Sequence, residues 1–301
     1  MSTVTTSTHP SRTAPARRPV ERWSAPAEAG SFRALVARLG FLDHVALLVV
    51  AFLAVAVVAP GLLTSHDPLH GDGSLVLQAP SAAHWFGTDY LGRDLFSRIV
   101  HGTVRTLLGS AVAVTIGLGV GTLLGLVAGY LGGAVDAVIS RLVDVLLSIP
   151  GLLLSMVVVV ALGFGALNAA VAVGIASVAA FTRLMRSEVL TVKDLPFVEA
   201  GHHLGGSRAH VLLRHILPNS WTAVLSLTAL QFGLSIIWIS SLSFLGYGAP
   251  PPQPEWGLLV AEGREYVVSS PWLTIVPGAV IATSVLAISR LSRTIKEGSA
   301  A

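Results

Sequence analysis

Five long stretches of the chain contain no Asp, Glu, Lys or Arg: 45–66, 106–135, 145–182, 216–254 and 266–289. A membrane-spanning helix needs about 20 predominantly apolar residues, so each stretch holds at least one span. The stretch 145–182 is too long for a single helix, and Gly163-Phe164-Gly165-Ala166-Leu167-Asn168 supplies a turn inside it. That division predicts six spans, near 42–63, 104–130, 136–162, 167–185, 221–247 and 271–288. The predicted fold class is an all-α integral membrane protein with six transmembrane helices. A polar hairpin, 192–220, separates helices four and five.

Composition strengthens this picture. Of 301 residues, 53% are hydrophobic and 12% charged, against about 25% charged in a soluble domain. The chain divides into a Ser-, Thr-, Ala-, Pro- and Arg-rich tail over 1–40, expected to be disordered, and a first span with an external segment over 41–103. A five-helix core over 104–292 and a short C-terminal tail over 293–301 follow. The first apolar run begins near Leu42, too late and too long for a cleavable signal, so it is expected to remain as the first span. With no cysteine, the chain has neither disulfides nor thiolate chemistry.

Basic residues set the expected orientation. Arg12, Arg17, Arg18, Arg22, Arg33 and Arg38 lie before span one; Arg183, Arg186, Lys193, Arg208 and Arg214 lie in and around the hairpin; Arg290, Arg293 and Lys296 follow span six. With six spans these regions share one side, expected to be cytoplasmic, so both termini are cytoplasmic in a multi-pass protein of the cell membrane. Arg93, Arg98 and Arg105 run against the pattern, because the count places them outside.

Several local patterns carry candidate chemistry. From Asp94 onward, Leu95, Phe96, Ile99 and Val100 alternate with Arg93, Asp94 and Arg98 at helical spacing, predicting a helix lying on the membrane surface. In span two, Gly117, Gly121, Gly125 and Gly129 recur every fourth residue and form a packing stripe for another helix. Span three carries Asp136, Arg141 and Asp144. An intramembrane carboxylate is costly unless paired, so Asp144 either lines a translocation path or forms an ion pair with Arg141, three residues away. Pro150 is expected to kink that span. Trp256, Tyr266 and Trp272 fit an interfacial aromatic belt.

The hairpin reads VKDLPFVEAGHHLGGSRAHVLLRHILPNS. Asp194 is placed to cap a short helix whose first turn accepts Pro196; Gly201, Gly205 and Gly206 break or bend it, and Pro218 opens the next span. His202, His203, His210 and His215 raise the question of a metal. Neighbouring histidines point apart, and residues five apart leave a common α-helical face, so no metal site is expected.

The run Glu199-Ala200-Gly201, then Gly205, then Ile216-Leu217-Pro218, resembles the EAA loop of the membrane subunits of ABC importers. Gly201 stands where Ala is usual in that family. GTDYLGRD after span one, SFLG with the proline-rich turn and Trp256-Gly257 after span five, and AEGREY at 261–266 resemble the C-type permeases of dipeptide, oligopeptide and nickel importers. The resemblance covers about 42–289 and ends before the C-terminal tail, which departs from the family pattern.

The resemblance implies a permease for peptides or related small solutes, with the hairpin as a cytoplasmic coupling helix. Asp194, Phe197, Glu199, Ala200, Gly201 and Gly205 would form the contact to the ATPase. It further implies a heterodimer with a second homologous permease, two cytoplasmic ATP-binding subunits and an extracytoplasmic solute-binding protein, with no nucleic acid involved. ATP and Mg2+ would be bound by the partner ATPases and no cofactor by this chain. Consistently, the sequence has no G-x-x-x-x-G-K-[ST] phosphate loop, no nucleophile elbow and no HExxH motif, so catalysis by this subunit is not expected. The competing class is a self-sufficient secondary transporter using Asp144 as its proton site.

Overall fold

In the computed structural model, residues 40–300 are described, except the side chains of His202 and 295–300. Apart from Gly40, the tail expected over 1–40 lies outside the described residues, as does Ala301. The described residues form helices and turns with no strand: α1 (Phe41–Val58), α2 (Leu95–Leu131), α3 (Gly133–Ser148), α4 (Gly151–Leu162) and α5 (Ala166–Lys193) come first. α6 (Pro196–His203) and α7 (Arg208–Val211) form the hairpin. A π-turn, Leu212–Ile216, joins α7 to α8 (Leu217–Phe244), and α9 (Trp256–Gly263) and α10 (Trp272–Ala300) complete the chain. Among the described residues, five helical runs are long and apolar enough to cross a membrane.

The α3–α4 pair is a broken element whose arms meet at 97°. The sequence predicted a kink at Pro150; the structure instead interrupts the helix over two residues. The reason is local. The residue before a proline is pushed out of the α region, and Ile149 is extended at φ −96°, ψ 129°.

α2 and α5 run parallel, in register from Gly117 beside Ser177 to Gly129 beside Val189. A chain that leaves the end of α2 and re-enters α5 in the same direction must travel back between them. Ala170, near the start of α5, lies beside Gly109. Gly109 to Leu131 is about 33 Å of helix at 1.5 Å per residue, so α3 and α4 carry the chain back over about that distance.

Four glycines make the α2–α5 approach possible. A Cβ on Gly121 would lie 2.5 Å from Phe181 Cβ and 2.7 Å from the Val178 carbonyl oxygen. One on Gly125 would lie 2.5 Å from the Thr182 carbonyl oxygen. In lipid, apolar burial gives little attraction between helices, so close backbone packing supplies the cohesion.

The element order places two different ends on the bundle. At one end stand the beginning of α1, the end of α10 and the hairpin; Arg290 Nε donates to Asp43 Oδ1 at 2.6 Å across the first two. At the other end, residues 60–94 and α9 pack over the start of α2. Here the predicted surface helix is not found. Asp94 caps α2 by accepting from the Ser97 amide at 2.7 Å, and that helix runs without interruption into the membrane.

Its charged face is buried, not solvated. Arg93 Nε and Arg98 Nη1 each reach Asp89 Oδ2 at 2.6 Å, and Arg98 Nη1 also reaches Glu262 Oε2 at 2.7 Å. Two carboxylates neutralise two guanidinium groups, which is how buried charges persist. Trp256 likewise departs from the expected aromatic belt. It is fully buried and donates from Nε1 to the Ile99 carbonyl at 3.1 Å. Glu255 beside it caps α9 and accepts from Thr106 Oγ1 at 3.0 Å.

Candidate functional site

The hairpin is built outward from the largest apolar cluster. Val189 and Val192 at the end of α5, Val198 on α6, and Val211 and Ile216 beyond it join Leu126, Phe181 and Met185 in that cluster. Burying Val198 fixes which face of α6 turns inward. The flanks of α6 and the turn after it remain open at the end of the bundle: Phe197 is 43% exposed, the Glu199 side chain 75%, and Leu204, just past the helix, 88%. Two large apolar side chains and a carboxylate are thus exposed together at this end of the bundle.

The turn chemistry differs from the sequence expectation at one residue. Asp194 is the C-cap of α5, its amide donating to the Val192 carbonyl, and it does not cap α6. The chain makes one further turn residue at Leu195, whose carbonyl accepts from the amides of Val198 and Glu199 at 2.9 and 3.3 Å. Gly205 closes the far side at φ +84°, a left-handed conformation that L side chains adopt only with strain. Next to it, the Gly206 amide donates to the Gly201 carbonyl at 3.1 Å. A Cβ on Gly201 would meet the His215 ring at 3.5 Å, an ordinary contact, so space does not require glycine there. Ala200 is exposed on the outer surface of α6.

The second half of the hairpin is continuous with the next span, which therefore does not open at Pro218. Ser207 caps α7 by accepting from the His210 amide, and the helix then runs on through α8. Pro218 lies within this run. It offers no N–H to the carbonyl four residues earlier and its ring crowds that carbonyl; the π-turn Leu212–Ile216 widens the helix just there. The widening has a consequence that α-helical spacing did not predict. His210 and His215, five residues apart, share a face, with ring centroids 6.0 Å apart. His215 also sits 6.4 Å from the Phe197 ring, under α6. No group of three or more metal-ligating side chains converges among the described residues.

Asp144 pairs with a different partner from the one expected. Its Oδ1 accepts from Arg183 Nη2 at 2.7 Å, across to α5, and not from Arg141 on its own helix. One turn along α5, Arg186 Nη2 donates to Asp136 Oδ2 at 2.7 Å. Both rungs tie the first arm of the broken pair to the helix that leads into the hairpin. The sequence singled out Asp136 and Asp144 but not Arg183 and Arg186 as their partners. Those arginines sit three apart on the last turns of α5, and that spacing was the available signal.

Comparison with known proteins assigns the architecture. Residues 121–296, well over half of the chain, match the family described as binding-protein-dependent transport system inner membrane component. The chain belongs to this family. It is 39% identical over 245 residues to the dipeptide transport system permease protein DppC of Alkalihalophilus pseudofirmus, covering 81% of this chain and 80% of that protein. It is 41% identical over 253 residues to the glutathione transport system permease protein GsiD of Pectobacterium atrosepticum, covering 83% and 84%. The probable D,D-dipeptide transport system permease protein DdpC of Escherichia coli is 40% identical over 236 residues, covering 78% and 79%.

Among solved structures, the fold matches an amino acid ABC transporter with histidines, at TM-score 0.54, 18% identity and coverage of 67% of this chain and 94% of that one. It also matches the inward-facing MetNI methionine ABC transporter, at TM-score 0.55, 15% identity and coverage of 66% and 95%. The chain is therefore an inner-membrane, multi-pass permease subunit of an ATP-binding-cassette importer, not a proton-coupled secondary transporter.

Proposed function

We propose that this permease forms half of the translocation pathway for peptides or related small solutes, in a heterodimer with a second homologous permease. Two cytoplasmic ATPases drive it, and an extracytoplasmic binding protein delivers the solute. ATP and Mg2+ are bound by the ATPases, and this chain performs no covalent chemistry. The solute class rests on relatives named for dipeptide, D,D-dipeptide and glutathione transport.

The observation that carries the reading is the exposed surface of α6 and the turn after it. Phe197 and Leu204 offer an apolar contact, and Glu199 offers a carboxylate for a basic group on the ATPase. Asp194, Ala200, Gly201 and Gly205 shape the turns that present it. Because Val198 and Val211 lie in one cluster with α2 and α5, a push on α6 is delivered directly into the spans. Closure of the ATPases would thus rock the bundle between inward and outward access.

This reading places the hairpin and both chain ends in the cytoplasm. The parallel run of α2 and α5 supports six crossings, with the broken pair as the third. Arg93 and Arg98, buried among Asp89 and Glu262, still run against the positive-inside count, which the basic residues of the hairpin and both ends outweigh. The test is to copurify the assembled transporter, reconstitute it with its binding protein, and measure which solutes stimulate ATP hydrolysis. Stimulation by short peptides supports the reading, and stimulation only by non-peptide solutes overturns the substrate class.

A further inference from the structure

A polar cavity of about 490 Å3 opens behind the hairpin, at the level where three spans end. Tyr130 and Leu131 close α2, Lys193 closes α5, and Arg208 opens the helix that becomes α8. Val198 and Ile216, both buried, form its apolar floor. The polar groups are only partly used by the protein. The Tyr130 hydroxyl donates to the Arg208 carbonyl at 3.0 Å, and Lys193 Nζ donates once, to the Gly129 carbonyl at 3.3 Å. An ammonium has three donors and a guanidinium five. The Arg208 guanidinium and the rest of the Lys193 ammonium meet no acceptor among the described residues. Asp194 also lines the cavity but lies beyond ion-pair distance of either cation, while Asp136 nearby is already held by Arg186.

We propose that this cavity binds a phosphate-bearing anion, Lys193 and Arg208 holding the phosphate and the exposed side chain of Leu131 lying along an acyl chain. Leu131, 57% exposed at the end of α2 beside the two cations, makes an anionic phospholipid the favoured source, with free phosphate sharing the same chemistry. An anion seated there would bridge the ends of α2 and α5 and the beginning of α7, and so brace the root of the hairpin. The site goes beyond transport and is measurable on this chain without its partners.

The experiment titrates the purified full-length chain, in neutral detergent, with short-chain phosphatidylglycerol or phosphatidylcholine and counts bound lipid by native mass spectrometry. Phosphatidylglycerol is expected to be preferred. Lys193→Gln and Arg208→Gln should each weaken it about fivefold, while Lys193→Arg retains it. Asp194→Asn should strengthen it, because a like charge is removed, an outcome that damage to the fold would not produce. Arg264→Gln, at the opposite end of the bundle, should change nothing. Displacement by inorganic phosphate at similar concentration would keep the site and assign it to a soluble anion. An unchanged preference in both glutamine variants would overturn the proposal.

Discussion

Arg98 and Asp89 are joined at 2.6 Å, and the same nitrogen of Arg98 reaches Glu262 at 2.7 Å, so the head of α2 is pinned both to the loop before it and to α9. Arg98 is 1% exposed. Removing one partner of a buried pair leaves an uncompensated charge, which costs about 3–5 kcal/mol. Arg98→Met should therefore lower the unfolding temperature of the detergent-solubilised chain markedly. Arg105→Met, an exposed arginine two turns further along α2, should leave it close to the unmodified value.

The glycine stripe predicts a position-specific response. Gly125→Ala would put a Cβ 2.5 Å from a backbone oxygen of α5, which no rotamer change relieves, whereas a Cβ on Gly119 meets nothing within 4 Å. Gly125→Ala should destabilise the chain in thermal unfolding. Gly119→Ala should be neutral or stabilising by up to about 1 kcal/mol, the helix-propensity gain of alanine.

The two ion pairs between α3 and α5 should differ. Asp136 and Arg186 are 19% and 35% exposed at the side chain, against 59% and 60% for Asp144 and Arg183. Exposed pairs contribute about 0.2–1 kcal/mol, so a double-mutant cycle should give the Asp136 pair the larger coupling. Asp144→Asn should leave ATP-driven uptake intact and insensitive to collapse of the proton gradient. Abolished uptake in that variant would revive a direct role for the carboxylate.

Much of this was legible in the sequence because span formation depends on long charge-free runs, which composition reveals directly. The hairpin was legible for the opposite reason, as a polar interruption with its turn glycines in place. What stayed hidden depended on partners distant in the chain. Arg93 and Arg98 look like a solvated helix face until Glu262, more than 160 residues away, is brought beside them. Arg141 looks like the partner of Asp144 because spacing reports only neighbours on the same helix, and Arg183 lies on another. The meeting of His210 and His215 was invisible because it depends on a π-turn, whose pitch does not follow α-helical spacing.

Loss of coupling should follow the geometry of the hairpin. Gly205→Val forces a β-branched residue into φ +84°, at a cost of about 1–3 kcal/mol of local strain, and should distort the presentation of α6. Glu199→Ala removes an exposed carboxylate and should weaken ATPase retention more mildly. Neither residue lies in a spanning helix, so membrane insertion and binding-protein affinity should stay near normal.

The most direct test of the hairpin as the coupling element is solute uptake per ATP hydrolysed in reconstituted vesicles, with ATPase copurification followed in parallel. Gly205→Val should lower both uptake and ATPase retention strongly and Glu199→Ala partly, at equal expression. Unmodified uptake with full ATPase retention in both variants would contradict the assignment.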